Sequence, residues 1–99
     1  MSVLGERPAI LKWGPVKTSP GAPFNIQPNG DSALWMKVAN VSSSIEVRFQ
    51  DESLPFNNDN GIISVPLPKK YYIKAGEYKI YILDTATGLT SNIVVFTVR

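Results

Sequence analysis

The two tryptophans, Trp13 and Trp35, are the residues whose chemistry points most directly to a ligand. An exposed indole offers a flat apolar surface on which a sugar ring can stack. Trp35 lies out of phase with Leu34 and Met36 in an alternating stretch, so it points outward if those two are core residues. The sequence therefore predicts a carbohydrate-binding surface centred on Trp35, with Trp13 and Tyr81 as further contacts. The structural alternative is that the proline-rich segment 14–24 covers Trp35.

A second candidate surface combines lysines with tyrosines in the segment KKYYIK, residues 69–74. Aromatic rings next to ammonium groups are typical of proteins that bind single-stranded nucleic acids. The basic patch would consist of Lys69, Lys70, Lys74 and Lys79. A net charge of only +2 is small for such a function, and lysines also keep exposed strand edges from pairing with other chains. Binding of nucleic acid or another anionic partner is therefore the alternative to carbohydrate binding.

Catalytic and metal-binding chemistry has little support in the composition. The chain contains no histidine and no cysteine, which removes the commonest general base, the commonest metal ligand and the thiolate nucleophile. Its serines occur without a Gly-x-Ser-x-Gly pattern. The oxygen-rich segment DESLPFNNDNG does not fit the EF-hand spacing, which leaves only a looser calcium site with Asp51 and Asp59. We expect a protein that is not an enzyme and that has no catalytic residues, cofactor or metal ion.

The hydroxyl-rich segment DTATGLTSN, residues 84–92, is interpreted as a tight turn rather than a site. Gly88 is expected to turn the chain, because glycine adopts positive φ angles without steric cost. Asp84 and Thr85 are predicted to hydrogen-bond local amides, and Ser91 with Asn92 to cap the strand that follows.

The elements that position these residues are predicted to be β-strands, because apolar residues alternate with a period of two and helical periodicity is absent. The candidate strands are PAILKW, FNIQ, SALWMKV, IEVRFQ, IISV, EYKIYILD and NIVVFTV. Pro28 to Gly30 should join FNIQ and SALWMKV in a hairpin, and Asn60 with Gly61 should form another turn. About seven short strands separated by turns predict an all-β sandwich of two antiparallel sheets.

A length of 99 residues indicates one domain. We expect it to span residues 8–99, behind a flexible N-terminal segment 1–7, and to be monomeric. No stretch approaches the roughly 20 apolar residues of a membrane span, and the first residues lack the apolar region of a signal peptide. The sequence therefore predicts a soluble chain without membrane insertion.

Several short motifs occur in a recognisable order along the chain. Pro8-Ala9-Ile10 opens it, Val47-Arg48-Phe49 forms a strand, and the end reads D-x-x-x-G-x-x-S-N-x-x-x-F-x-V from Asp84 to Val98. This order resembles the IPT/TIG domains, and the resemblance implies an all-β immunoglobulin-like sandwich of about seven antiparallel strands. The glycine–aromatic pattern that the family has near its second strand is missing from residues 32–44. The resemblance implies a non-catalytic structural or binding module but no specific ligand. We expect a protein or carbohydrate partner, the carbohydrate because of the tryptophans. The resemblance also implies an accessory domain of a bacterial surface or carbohydrate-processing protein. If the chain is part of such a larger protein, the expected location is extracellular or at the cell surface; the sequence does not otherwise identify a compartment.

Overall fold

The computed structural model describes residues 7–99. The expected flexible segment 1–7 lies outside the described residues, apart from the exposed Arg7.

The described chain forms nine strands and one turn of 3₁₀ helix. The strands are β1 (Ala9–Gly14), β2 (Lys17–Thr18), β3 (Ser32–Ala39), β4 (Ile45–Phe49), β5 (Glu52–Leu54), β6 (Asn57–Asp59), β7 (Ile62–Leu67), β8 (Gly76–Asp84) and β9 (Val94–Val98), and the 3₁₀ helix covers Lys69–Tyr71. No helix in residues 7–99 has the length and apolar character needed to cross a membrane.

These strands form two sheets, one with the order β1-β3-β7-β6 and one with the order β2-β9-β8-β4-β5. All neighbouring strands are antiparallel except β2 and β9, which pair in parallel. Buried side chains from both sheets form one hydrophobic cluster. The protein is therefore all-β, as predicted, and the two sheets are compatible with a β-sandwich.

The alternation of side chains in the long strands is confirmed. Ile45, Val47 and Phe49 of β4 are buried, and so are Ile80 and Ile82 of β8. In β9 the predicted inward set is also correct, since Phe96 and Val98 are buried and Val94 packs against the core. Removal of these apolar side chains from water is the main force that holds the two sheets together.

The predicted strand FNIQ is wrong, and with it the hairpin to SALWMKV, because residues 24–27 are not extended against another strand. The backbone N–H of Phe24 donates to the Ser32 hydroxyl at 3.0 Å. The Phe24 ring packs 5.0 Å from the Tyr72 ring and 5.4 Å from the Phe96 ring. A turn does occur at Gly30, whose N–H donates to the Gln27 carbonyl at 2.8 Å. This loop therefore closes one end of the core instead of adding a strand.

Three short strands, β2, β5 and β6, were not expected from the sequence. The side chains of β6 are all exposed, so it shows no apolar alternation. It pairs with β7 across the predicted turn at Asn60 and Gly61, where both φ angles are positive, at 51° and 86°. A two-residue turn with two positive φ angles matches the twist of a hairpin. The turn chemistry was therefore recognisable although the strand before it was not.

Candidate binding surface

The outer face of the four-stranded sheet carries Trp35 in a row of small and polar residues. Trp35 lies opposite Gly14 on β1 and Ser64 on β7, and Ser64 lies opposite Asn57 on β6. Residues paired across antiparallel strands project to the same side of a sheet. The Trp35 side chain is 39% exposed, whereas both of its neighbours along the chain are buried. Trp35 is therefore partly exposed to solvent on this face, and Gly14, the first residue of the proline-rich segment 14–24, lies against its ring.

Gly14 allows the indole of Trp35 to lie close to the sheet. A Cβ atom at position 14 would lie 3.0 Å from the indole Nε1 and 3.3 Å from Cε2, which is closer than such atoms normally approach. Gly14 is buried, so the ring covers it from the solvent side. One side of the indole is thus supported by backbone while the ring remains exposed, an arrangement suited to stacking on a planar ligand.

Two lysines border this row on the same face. Lys12 of β1 pairs with Lys37 of β3, and both are exposed. Beyond Lys37 the row continues with Ile62 of β7 and Asp59 of β6. Lys37 follows Trp35 by two residues, so the two rows are about 7 Å apart along the strands. We call the residues of these two rows the Trp35 face.

Trp13 and Tyr81, the other predicted contacts of the aromatic surface, lie elsewhere. Trp13 pairs with a fully buried residue of β3, and its half-buried ring packs against the hydrophobic core. Tyr81 belongs to the five-stranded sheet, where it pairs with Arg48 and donates a hydrogen bond to Asp51 Oδ1 at 3.0 Å. The structure therefore does not bring the three aromatic residues together, and only Trp35 lies on the Trp35 face.

The four lysines of the alternative basic patch are only partly gathered. Lys70 and Lys74 line one cleft of about 270 Å³. Lys69 extends towards Gly21, where a Cβ atom would lie 3.3 Å from its Cε. Lys79 is exposed on β8, in the five-stranded sheet. Of the four lysines of the predicted basic patch, Lys70 and Lys74 therefore share one cleft, and Lys69 and Lys79 do not line it.

Aromatic rings form the walls of the cleft beside Lys70 and Lys74. Phe49 stacks on Tyr78 with ring centroids 5.3 Å apart and meets Tyr71 edge-on at 5.6 Å. The Tyr71 hydroxyl donates to the Glu52 carboxylate, and this hydrogen bond, with burial and the nearby negative charge, raises the pKa of the phenol. Because these rings pack on one another, the cleft offers few free ring faces on which a base could stack.

The segment 84–92 forms the connection from β8 to β9, as predicted. Asp84 is buried, and its Oδ1 accepts the backbone N–H groups of Ala86 at 2.9 Å and Thr87 at 3.3 Å. Gly88 has a φ of 76°, and its N–H donates to the Asp84 carbonyl at 2.8 Å. The predicted roles of Asp84 and Gly88 in the turn are confirmed.

Three other polar residues of this segment, Thr85, Ser91 and Asn92, bond to other parts of the fold. The Thr85 hydroxyl donates to the Ser44 carbonyl at 2.8 Å rather than bonding a local amide. The Ser91 hydroxyl accepts a backbone N–H of β8 at 2.8 Å. Asn92 accepts the Ile10 N–H at 2.8 Å and donates to the Ile10 carbonyl at 3.2 Å, so it caps β1 rather than β9. These groups are engaged in structural hydrogen bonds.

In residues 7–99 no group of three or more histidine, cysteine, aspartate or glutamate side chains is placed to hold a metal ion. Asp51 lies in the turn between β4 and β5, and Asp59 lies on β6 of the other sheet. The two carboxylates of the looser calcium site therefore belong to different sheets.

Several residues of the Trp35 face were not foreseen from the sequence. The alternation within β3 placed Lys37 beside Trp35, but Gly14, Ser64 and Asn57 come from three other strands. Their positions depend on the register between strands, for which a single strand carries no signal.

No family model matches the chain, and no curated protein matches it.

Proposed function

We propose that this protein is a non-catalytic immunoglobulin-like module that binds carbohydrate through the Trp35 face. The observation that carries the proposal is the exposed indole of Trp35, supported by Gly14 and in line with Ser64 and Asn57. A sugar ring has an apolar C–H face surrounded by hydroxyl groups. The indole is suited to the apolar face, and short polar side chains beside it are suited to the hydroxyls.

The order of the strands supports the immunoglobulin-like part of this proposal. In constant-type immunoglobulin domains one sheet has the order A-B-E-D and the other contains G-F-C. The order β1-β3-β7-β6 corresponds to the first sheet and β9-β8-β4 to the second, with β5 beside β4 in the position of an additional strand C′.

A tyrosine near the start of β8 gives independent support. The Tyr78 hydroxyl donates to the backbone carbonyl of Lys74 at 2.6 Å, four residues upstream. The tyrosine corner of immunoglobulin-like domains is a similar bond, made by a tyrosine near the start of strand F. Tyr78 lies in the strand that corresponds to F, so its hydroxyl is assigned a structural role rather than a ligand contact.

The resemblance to IPT/TIG domains suggests a biological role for such a module. Under this proposal the chain acts as an accessory domain of a bacterial surface or carbohydrate-processing protein, where it holds a glycan or a neighbouring protein.

Nucleic-acid binding through Lys69, Lys70, Lys74 and Lys79 is the weaker candidate. A polyanion needs several cations along one continuous path. Only Lys70 and Lys74 line the same cleft, and the neighbouring rings are packed against one another.

The test is an NMR titration of the labelled protein with short neutral oligosaccharides of glucose, mannose and xylose, and with a short single-stranded DNA. We expect a neutral oligosaccharide to shift amide signals around Gly14, Trp35 and Ser64. Trp35→Ala should weaken this binding about tenfold, as expected for the loss of an aromatic stacking contact. Gly14→Ala should weaken it as well, because the added methyl group displaces the indole.

Val95→Ala is the matched control, since Val95 is also 39% exposed but lies on β9 of the other sheet. It should leave binding unchanged. The proposal is wrong if no oligosaccharide shifts these signals, or if Trp35→Ala binds as well as the unmodified protein. Salt-sensitive shifts around Lys70 and Lys74 with the DNA would instead favour the basic alternative.

A further inference from the structure

We propose that the glycan bound by the Trp35 face is acidic, and that Lys12 and Lys37 bind its carboxylate or sulfate groups. This inference rests on the proposed function, because it concerns the same surface and names the class of sugar that it takes.

The first argument is the position of the two lysines. Lys12 and Lys37 are directly paired across β1 and β3, so their side chains leave the same face from adjacent strands. Lys37 is two residues from Trp35, and Lys12 is two residues from Gly14, so both lie one row away from the indole. A sugar ring stacked on Trp35 would therefore carry a substituent within reach of either ammonium group.

The second argument is that, among residues 7–99, neither lysine forms a salt bridge with a carboxylate. The one salt bridge found within residues 7–99 joins Arg48 to Glu46, in the five-stranded sheet. In the row of Lys12 and Lys37 the acidic residue is Asp59, which is separated from Lys37 by the whole of β7. That separation is about 10 Å between backbones, or two strand spacings. The face therefore presents a local excess of positive charge.

The third argument is that this pairing is unfavourable for the fold alone. Like charges directly opposite one another on antiparallel strands destabilise a sheet. Lysine on an edge strand such as β1 is explained by protection against edge-to-edge pairing. Lys37 does not have this explanation, because β3 lies between β1 and β7 in the interior of the sheet. An anionic ligand bound between Lys12 and Lys37 would relieve the repulsion between their ammonium groups. Ligand binding is therefore the role that we assign to Lys37.

Short oligosaccharides of galacturonate and of galactose are the probes, since they differ mainly in the carboxylate. Isothermal titration calorimetry at low salt should give a lower Kd for the galacturonate oligosaccharide than for the neutral galactose oligosaccharide. The difference between the two Kd values should shrink as salt is added. Lys12→Gln and Lys37→Gln should each weaken galacturonate binding about two- to fivefold, the range expected for exposed ion pairs. Neither variant should change the Kd of the neutral oligosaccharide.

Lys79→Gln is the matched control, because it removes the same charge from an exposed position on the other sheet. It should not change galacturonate binding. Lys37→Gln should also raise the Tm of the free protein, since it removes the like-charge pair, whereas Lys79→Gln should not.

The outcomes separate the two proposals. If the neutral oligosaccharide binds through Trp35 but galacturonate binds no better, the acidic glycan is excluded and the carbohydrate module stands. If galacturonate and galactose do not bind but a glucose, mannose or xylose oligosaccharide does, the acidic glycan is again excluded and the carbohydrate module stands. If none of these sugars binds, both proposals fail. If a short single-stranded DNA binds with the same dependence on Lys37, the face selects polyanions in general and the inference about acidic sugars is wrong.

Discussion

At the scale of single residues, the same side-chain type has different roles in different places. Trp35 and Trp13 are both in strands of the four-stranded sheet, yet Trp35 is exposed and Trp13 packs on the core. Among the tyrosines, Tyr72 is buried and shares a hydrogen bond of 2.9 Å with Ser32, whereas Tyr71 bonds a carboxylate at the surface. Residue type alone therefore did not distinguish Trp35, the candidate ligand-binding residue, from the aromatic residues that stabilise the fold.

The bond between Tyr71 and Glu52 predicts a pH dependence. It raises the pKa of Tyr71 in the folded state above the usual value of about 10 in the unfolded chain. The bond's contribution to stability is therefore fully present below about pH 10 and is lost as the pH rises through the folded-state pKa. Glu52→Gln should move the Tyr71 titration, followed by NMR of its ring carbon, to lower pH.

Two further measurements check this assignment. Glu77→Gln removes an exposed carboxylate elsewhere and should leave the Tyr71 titration in place. In urea unfolding, the unmodified protein should lose more stability between pH 8 and the Tyr71 titration than Glu52→Gln does. An unchanged Tyr71 titration in Glu52→Gln would show that another cause raises its pKa.

At the scale of elements, hairpin turns with positive φ angles set the register of the strands. The β6–β7 hairpin uses Asn60 and Gly61, and the β4–β5 hairpin uses Gln50 and Asp51, with φ angles of 50° and 68°. The first pair is a recognised signal for such a turn, and the second is not. This difference explains why the turn before β7 was predicted and the short strand β5 was not.

Gly61→Ala should destabilise the protein by about 1–2 kcal/mol, measured by urea unfolding. The substitution forces alanine to a φ of 86° and brings its Cβ within 3.3 Å of the Val38 carbonyl oxygen. Gly88→Ala is the control, because its φ of 76° is similar but a Cβ there meets nothing within 4 Å. It should therefore cost less, and an equal loss in both variants would mean that the contact with Val38 is unimportant.

At the scale of the whole molecule, the two sheets are joined by more than their shared core. Asn92 precedes β9 in the five-stranded sheet, and its side-chain amide bonds both backbone groups of Ile10 on β1, in the four-stranded sheet. The amide takes the place of a neighbouring strand at the free edge of β1, where unpaired backbone groups would otherwise invite another chain. Asn92 thus links the sheets and protects an edge.

Asn92→Ala should lower the free energy of unfolding by about 1–2 kcal/mol, because it removes two hydrogen bonds to backbone. Asn29→Ala is the control, since Asn29 bonds only the nearby Asp31 in an exposed turn. The expected loss is measured by urea unfolding, with size-exclusion chromatography to detect self-association through β1. A loss no larger than that of Asn29→Ala would contradict the linking role of Asn92.

The sequence by itself determined the strands with strong alternation, the turns at Gly61 and Gly88, and the absence of histidine and cysteine chemistry. These properties follow from local effects, namely side-chain periodicity and the φ angles open to each residue. Only the tertiary structure decided the register that places Gly14 and Ser64 beside Trp35, and the sheet to which Tyr81 belongs. Register and sheet order depend on contacts between residues far apart in the chain, which no single segment encodes.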